Sequence, residues 1–291
     1  MTWRTVIVRE RAKLDYSLNF MTVRKEAEMR KISLSEIYMV IVESTAVSLT
    51  AVLLNELVKN KIKVVFCDEK RTPSSELLPY YGSHDTSLKY KYQLDWTEEC
   101  KQRVWTRIVY EKIFNQMLLL KKLNKDEYKL LEQYLNEIEW NDNSNREGHA
   151  AKVYFNALFG LDFSRNKECF VNAALDYGYS IILSAFNREI ISCGYFTQLG
   201  LCHKNPFNKF NLASDFMEPF RILVDEEVYN LEQSEFSKEH KNILINILNK
   251  TVTIDDKQQT VANAIKIYCR SLFTGLKEED LEYIKMYKYE L

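Results

Sequence analysis

Apolar and polar side chains alternate with a period near two at the start of the chain. The stretches 2–8, 13–18 and 20–25 are rich in β-branched and aromatic residues and predict three strands, and a shorter apolar run at 36–42 predicts a fourth. The period then lengthens. Val47, Leu49, Val52, Leu53 and Leu57 suit one face of a helix capped by Ser44 or Thr45, before 64–67 returns to a strand. The segment DEKRTPSSELLPYYGSHDTS, with Pro73, Pro79 and Gly82, predicts a linker.

Beyond it the pattern is helical. Thr97 followed by Glu98 and Glu99 is a helix start, with Trp105, Ile108, Val109, Ile113, Met117 and Leu120 lining one face. Asn124 with Glu127 opens a second helix with the stripe Leu130, Leu131, Tyr134, Leu135 and Ile138. Further helices are predicted at 145–159, 168–192, 220–231, 237–249, 260–274 and 277–289, with Gly160, Gly194 and Gly275 as stops. The expected fold is α+β. A small β-rich domain with one packed helix and its linker takes 1–83, and an all-α domain takes 84–291.

Composition narrows the function classes. With 46% hydrophobic and 28% charged residues the chain is an ordinary globular protein rather than a disordered one. Its seven glycines form no GxGxxG or GxxxxGK loop, which excludes phosphate cradles of those kinds. The opening MTWRTVIVRERAK lacks the continuous apolar run of a signal peptide. The longest apolar stretch, 39–58, is interrupted by Glu43 and Glu56, so no membrane span and a cytoplasmic location are expected. Six cysteines without a CxxC pair argue against a zinc cage or a disulfide scaffold. The net charge of −1 hides an uneven distribution: residues 1–31 carry eight Lys or Arg against four acids. Such a patch is compatible with phosphate binding and equally with solvated strand edges.

Three places carry candidate chemistry. Glu147 stands in NSNREGHAAKVYFNALFG, where Ser144 and Glu147 have the spacing of a capping box, yet its helical face continues through Ala151, Tyr154 and Leu158. His203 follows GYFTQLGLC. Asp215 and Glu218 lie one turn apart before Pro219, which either kinks that helix or opens the next. An imidazole with two or three carboxylates is a hard donor set that suits Mg²⁺ or Mn²⁺ better than zinc. Helix capping explains the same acids without any ion, and sequence alone does not bring Glu147 near the others. A Cys202/His nucleophile is disfavoured because adjacent side chains do not form a nucleophile and base pair.

The run NAALDYGYSIILSAFNREIISCGYFTQLGLCHKNPFNKFNLASDFMEPFR resembles the core of the CRISPR-associated integrase family, the first of the two universal Cas spacer-acquisition proteins. It is most similar to the branch that accompanies an RNA-guided single-protein effector nuclease. The family's glutamate at a helix start matches Glu147 in NREGHAAKVYF, its histidine matches His203 in GLCH, and its acid matches Glu218 in DFMEPFR. Many members carry aspartate at the last position, so this chain's arm is one methylene longer.

The resemblance implies a metal-dependent DNA endonuclease and integrase of CRISPR adaptation. Such an enzyme joins 3′-hydroxyl ends of invading-DNA fragments to the CRISPR repeat by phosphodiester transesterification. Glu147, His203 and Glu218 become the catalytic residues and the ligands of Mg²⁺ or Mn²⁺. Asp215 becomes an additional ligand or a support for the histidine, and Lys204 and Arg221 become candidate DNA phosphate contacts. The implied partners are double-stranded DNA, a second copy through the β domain, and the small second Cas protein, one dimer of it between two dimers of this chain. The effector nuclease and an accessory DNA-end-binding protein are further expected partners. The competing reading is a non-enzymatic helical DNA-binding or scaffold protein whose acids only cap helices.

Overall fold

A computed structural model describes residues 4–26, 28–80, 83–232 and 235–289. The chain divides into two compact units, 1–84 and 85–291.

The first unit is built on two four-stranded sheets. In one, β1 (Arg4–Val8), β5 (Ile37–Val42) and β7 (Lys63–Cys67) run parallel and β8 (Pro73–Leu77) closes the edge antiparallel. In the other, β2 (Ala12–Ser17), β3 (Phe20–Arg24) and β4 (Met29–Ser33) form an antiparallel meander, and β6 (Val47–Leu49) pairs parallel with β2. Every residue of β5 (IYMVIV) is buried, as expected of a central parallel strand covered on both faces. Helix α1 (Ala51–Lys59) contributes Leu53 and Leu57 to a core that includes Leu14, Met21, Ile37, Val40 and Val64.

Two expectations need correction in this unit, and one strand was not foreseen. The helix does not start at 44 or 45: Val47 and Leu49, two apart, lie in β6, and the Thr50 side chain caps α1 by accepting from the Leu53 amide. The stretch 68–87 is not all linker, because it contains β8. Proline is admissible as the first residue of an edge strand, and that is where Pro73 stands. The edge strand β4 went unpredicted because its sequence, MRKIS, is charged and largely exposed, and so shows no apolar alternation. Part of the predicted first strand, residues 2 and 3, lies outside the described residues.

In the second unit α2 (Thr86–Asp95) comes first. Its Leu88 and Leu94 are exposed, so no apolar stripe announces it. Helix α3 (Glu98–Lys122) is capped by Thr97 through the Cys100 amide and buries Trp105, Ile108, Val109, Ile113 and Leu120. It packs against α4 (Tyr128–Asn136), α5 (Arg146–Phe159) and the 3₁₀ turn Glu218–Phe220. Helix α6 (Phe170–Ser192) packs against α7 (Asn211–Met217), α8 (Ile222–Asn230), α9 (Lys238–Asn246) and α10 (Val261–Glu278). Pro219 opens the 3₁₀ turn between α7 and α8.

The second unit is helix-rich but not all-α. Strands β9 (Thr251–Ile254) and β10 (Lys257–Thr260) form a hairpin, and β11 (Tyr287–Lys288) pairs with β9, so 277–289 is not a helix. The two-residue turn has Asp255 and Asp256 both at φ 54°, the backbone of a type I′ hairpin. Gly160 and Gly194 follow their helices at positive φ, whereas Gly275 lies inside α10. There a side chain would press on the Asp280 carbonyl and Ile284. Among the described residues no helix is long and apolar enough to cross a membrane.

Candidate active site

Helix α5 begins in an unexpected way. Ser144 Oγ donates to the Glu137 carbonyl, so the capping box does not form. Asp142 takes that role: its carboxylate accepts from the Arg146 amide at 2.8 Å and the Glu147 amide at 3.1 Å. The Glu147 side chain is thereby left for another partner. Its Oε1 lies 2.6 Å from Nζ of Lys112, which projects from the middle of α3.

Glu218 reaches the same ammonium from the turn after α7. Its Oε2 lies 2.6 Å from Lys112 Nζ, and its Oε1 accepts from Arg221 Nε at 2.9 Å. The Glu218 side chain is 3% exposed and that of Lys112 11%. Burial alone would push the Glu218 carboxyl up. The Arg221 and Lys112 charges overcome it and hold Glu218 below the usual carboxylate range. Burial likewise works against the Lys112 ammonium, but the two carboxylates keep it above the ordinary lysine value.

His203 is delivered by the loop between α6 and α7. Asp215, fully buried, accepts through Oδ2 from the amides of Leu201 (2.5 Å) and Cys202 (3.2 Å). Its Oδ1 accepts from the His203 amide at 3.2 Å and from the ring Nδ1–H at 2.5 Å. One carboxylate thus shapes the loop and fixes the ring, leaving Nε2 with the lone pair in the neutral form. The ring meets the indole of Trp105 edge-on, with centroids 5.9 Å apart. The Asp215 hydrogen bond raises the histidine's affinity for a proton, and Glu218 and Glu147 both add to this through space. Glycine is required before the loop: a Cβ on Gly200 would lie 2.4 Å from the His203 carbonyl and 2.7 Å from Asp215 Oδ2.

Asp215 and Glu218, one turn apart, therefore serve different partners. The two phosphate-contact candidates also diverge. Lys204 is exposed, 3.7 Å from Glu98, on the rim of a cavity of about 480 Å³ beside His203 that Lys101, Lys209, Gln93 and Asn211 help line. Arg221 is committed to Glu218 and lies over the Tyr179 ring, 4.7 Å from its centroid. Behind it, Asp225 accepts from the hydroxyls of Tyr154 and Tyr179, and burial pushes its carboxyl up to about 6. Burial also raises the Cys202 thiol to about 11, which leaves it no thiolate character at neutral pH.

Glu147 and Glu218, from separate stretches of the chain, thus meet at Lys112, and the charges of both act through space on the His203 ring. Among the described residues no three His, Cys, Asp or Glu side chains already enclose an ion position. What fits a cation is the pair of glutamates: two carboxylates converge on a single positive charge in a buried setting, and oxygen donors of this kind match Mg²⁺ or Mn²⁺.

The family model described as CRISPR associated protein Cas1 matches residues 5–251. The chain belongs to the Cas1 family. It is 32% identical over 292 residues to the CRISPR-associated endonuclease Cas1 of Neisseria meningitidis serogroup C (strain 8013), spanning 98% of this chain and 96% of that protein. Two solved structures share the fold. The structure titled "Casposase bound to integration product" superposes with a TM-score of 0.76 at 19% identity, over 97% of this chain and 92% of that one. The one titled "Cas6-RT-Cas1--Cas2 complex" gives 0.75 at 18% identity, over 97% of this chain and 36% of that one.

Within this Cas1-family frame, three residues around the candidate site went unread in the sequence, Lys112, Asp142 and Asp225, while Trp105 was read only as part of a helix face. Lys112 interrupts the apolar stripe of α3 as an ordinary surface lysine would. The usable signal was its place between Val109 and Ile113, where the helix face is buried.

Proposed function

We propose that this Cas1-family chain is a divalent-metal-dependent DNA endonuclease and integrase of CRISPR adaptation, with Glu147, His203 and Glu218 as its catalytic, ion-holding residues. One observation carries the site: two glutamates from distant segments converge on one cation position, and their charges reach the histidine that Asp215 holds. The likeness to a CRISPR-associated endonuclease over nearly the whole chain supports the activity, and the Cas1–Cas2 title of a structural neighbour supports the small second Cas protein as partner.

The reaction joins the 3′-hydroxyl of an invading-DNA fragment to a phosphorus atom in the CRISPR repeat. A new P–O bond forms, the old P–O bond breaks, and the attacking hydroxyl's proton ends on the leaving oxygen or solvent. With water as the attacking group the same site hydrolyses DNA. A bound Mg²⁺ or Mn²⁺ would supply the charge that polarises the phosphoryl oxygen and neutralises the leaving oxygen.

The protein's part is to prepare that position. Glu147 and Glu218 contribute carboxylate oxygens, and His203 contributes Nε2 because Asp215 occupies its Nδ1–H. Arg221 clamps the second oxygen of Glu218, so the carboxylate cannot rotate away. Lys204, on the rim of the adjoining cavity, is placed to meet a backbone phosphate. Residues 1–83 act as the dimerisation domain and 84–291 as the catalytic domain, in an assembly of two dimers of this chain around one dimer of the partner.

The test uses the purified chain with its small partner, repeat DNA and Mn²⁺ or Mg²⁺. Glu147→Ala, His203→Ala and Glu218→Ala should each lower strand joining by about 10²–10³-fold while remaining folded. Folded variants that join DNA at the parental rate would sink the assignment.

A further inference from the structure

Lys112 is the residue that the proposed mechanism does not use, and it occupies the position that mechanism needs. Its Nζ stands 2.6 Å from Glu147 Oε1 and 2.6 Å from Glu218 Oε2. Glu218 Oε2 is fully buried and accepts no regular hydrogen bond, so the ammonium's charge is what balances it. Mg²⁺–oxygen distances are about 2.0–2.1 Å, so an ion bound to both carboxylates and this ammonium cannot share the space. Two carboxylates facing each other without a cation between them would repel in a poorly solvated setting.

From this geometry we propose that Lys112 is the site's built-in counter-ion. It holds Glu147 and Glu218 together in the metal-free chain and must withdraw before a divalent ion can load. This rests on the reading that the two glutamates take such an ion. The feature is a competition between one flexible monovalent group and one dication for the same oxygens. Lysine suits the role because its compact charge rides on a four-carbon stem that can swing aside, whereas a planar arginine fork would lock both carboxylates. Arg221, which clamps only Glu218 Oε1, remains in place in either state.

The experiment measures Mn²⁺ binding by calorimetry for the parental chain, Lys112→Met and Glu218→Gln, together with their metal-free melting temperatures. If the ammonium closes the position nine-tenths of the time or more, its removal tightens apparent Mn²⁺ affinity by about tenfold or more. The metal-free melting temperature falls at the same time, and added Mn²⁺ restores more of it than in the parental chain. Unchanged or weaker Mn²⁺ binding in Lys112→Met, with binding still lost in Glu218→Gln, overturns the counter-ion role and leaves the metal site standing. Undiminished binding in Glu218→Gln overturns the metal site itself. Should Lys112→Met fail to fold, amine labelling of the parental chain read by mass spectrometry decides. Lys112 should be protected without metal and react faster with Mn²⁺, and equal reactivity in both conditions overturns the proposal.

Discussion

Each unit of the molecule buries a lysine against carboxylate, and the two arrangements differ in what they leave open. In the β-rich unit Lys63 of β7 meets Glu76 of the neighbouring strand β8, with side chains 3% and 10% exposed. In the helical unit Lys112 is shared between Glu147 and Glu218, and Glu218 is shared in turn between Lys112 and Arg221. The carboxyls respond in opposite directions. Burial raises Glu76 further than Lys63 can lower it, whereas Glu218, deeper still, is held low because two cations face it. The helical cluster assembles from α3, the start of α5 and the turn after α7, and brings two carboxylates to one ammonium. The difference teaches that burial by itself does not set a carboxyl's ionisation; the cations that face it decide the direction.

The largest effect that would break this comparison lies at the sheet pair. Lys63→Met should destabilise the β-rich unit by about 3–5 kcal/mol, because it removes the ammonium that faces a buried carboxylate, and Lys63→Met/Glu76→Leu should recover most of the loss. Urea unfolding followed by circular dichroism checks this. A shift in Mn²⁺ response from the same variant would mean that the two clusters are not independent.

A smaller effect is expected at Asp215. Asp215→Asn should lower Mn²⁺-dependent DNA joining by about 10–100-fold, the usual range for residues that orient a ligand. The amide has one acceptor oxygen where the carboxylate has two, so the loop amides and the ring compete for it. Calorimetric Mn²⁺ affinity unchanged from the parental chain would show that the ring needs no such support.

The smallest effect sits behind Arg221. Because the folded-state pKa of Asp225 is raised to about 6 from 3.8, the stability carried by its protonated form is present below about pH 4 and lost as the pH rises through about 6. Asp225→Asn, which cannot ionise, should gain on the parental chain by about 1 kcal/mol between about pH 5 and about pH 8. A constant difference in urea stability across that range would contradict the assignment.

The strands β1, β2 and β3 were legible from their alternation, β5 and β7 from short apolar runs, and the helices α3, α5 and α6 from apolar positions at helical spacing. The elements that escaped have physical reasons. Strand β4 is an exposed charged edge, α2 has little apolar face, and the hairpin β9–β10 depends on two aspartates at positive φ. At the site, the sequence order supplied Glu147, His203 and Glu218 through a family resemblance, but their partners come from other segments. Lys112 reads as a surface residue and Asp142 as part of a polar loop. The local S-x-x-E pattern pointed to Ser144 as the cap of α5, while Asp142, two residues earlier, makes those contacts. Spacing along the sequence did not show that Ser144 turns to the Glu137 carbonyl and leaves these amides to Asp142.

Asp215 gives the site one further property. The same two oxygens set the course of the loop at 201–203 and the tautomer of the ring it carries, so these traits are inherited together. A variant at this position cannot trade loop path against ring chemistry, and a designer who wants to retune the histidine alone must approach it from Trp105, which meets the ring edge-on.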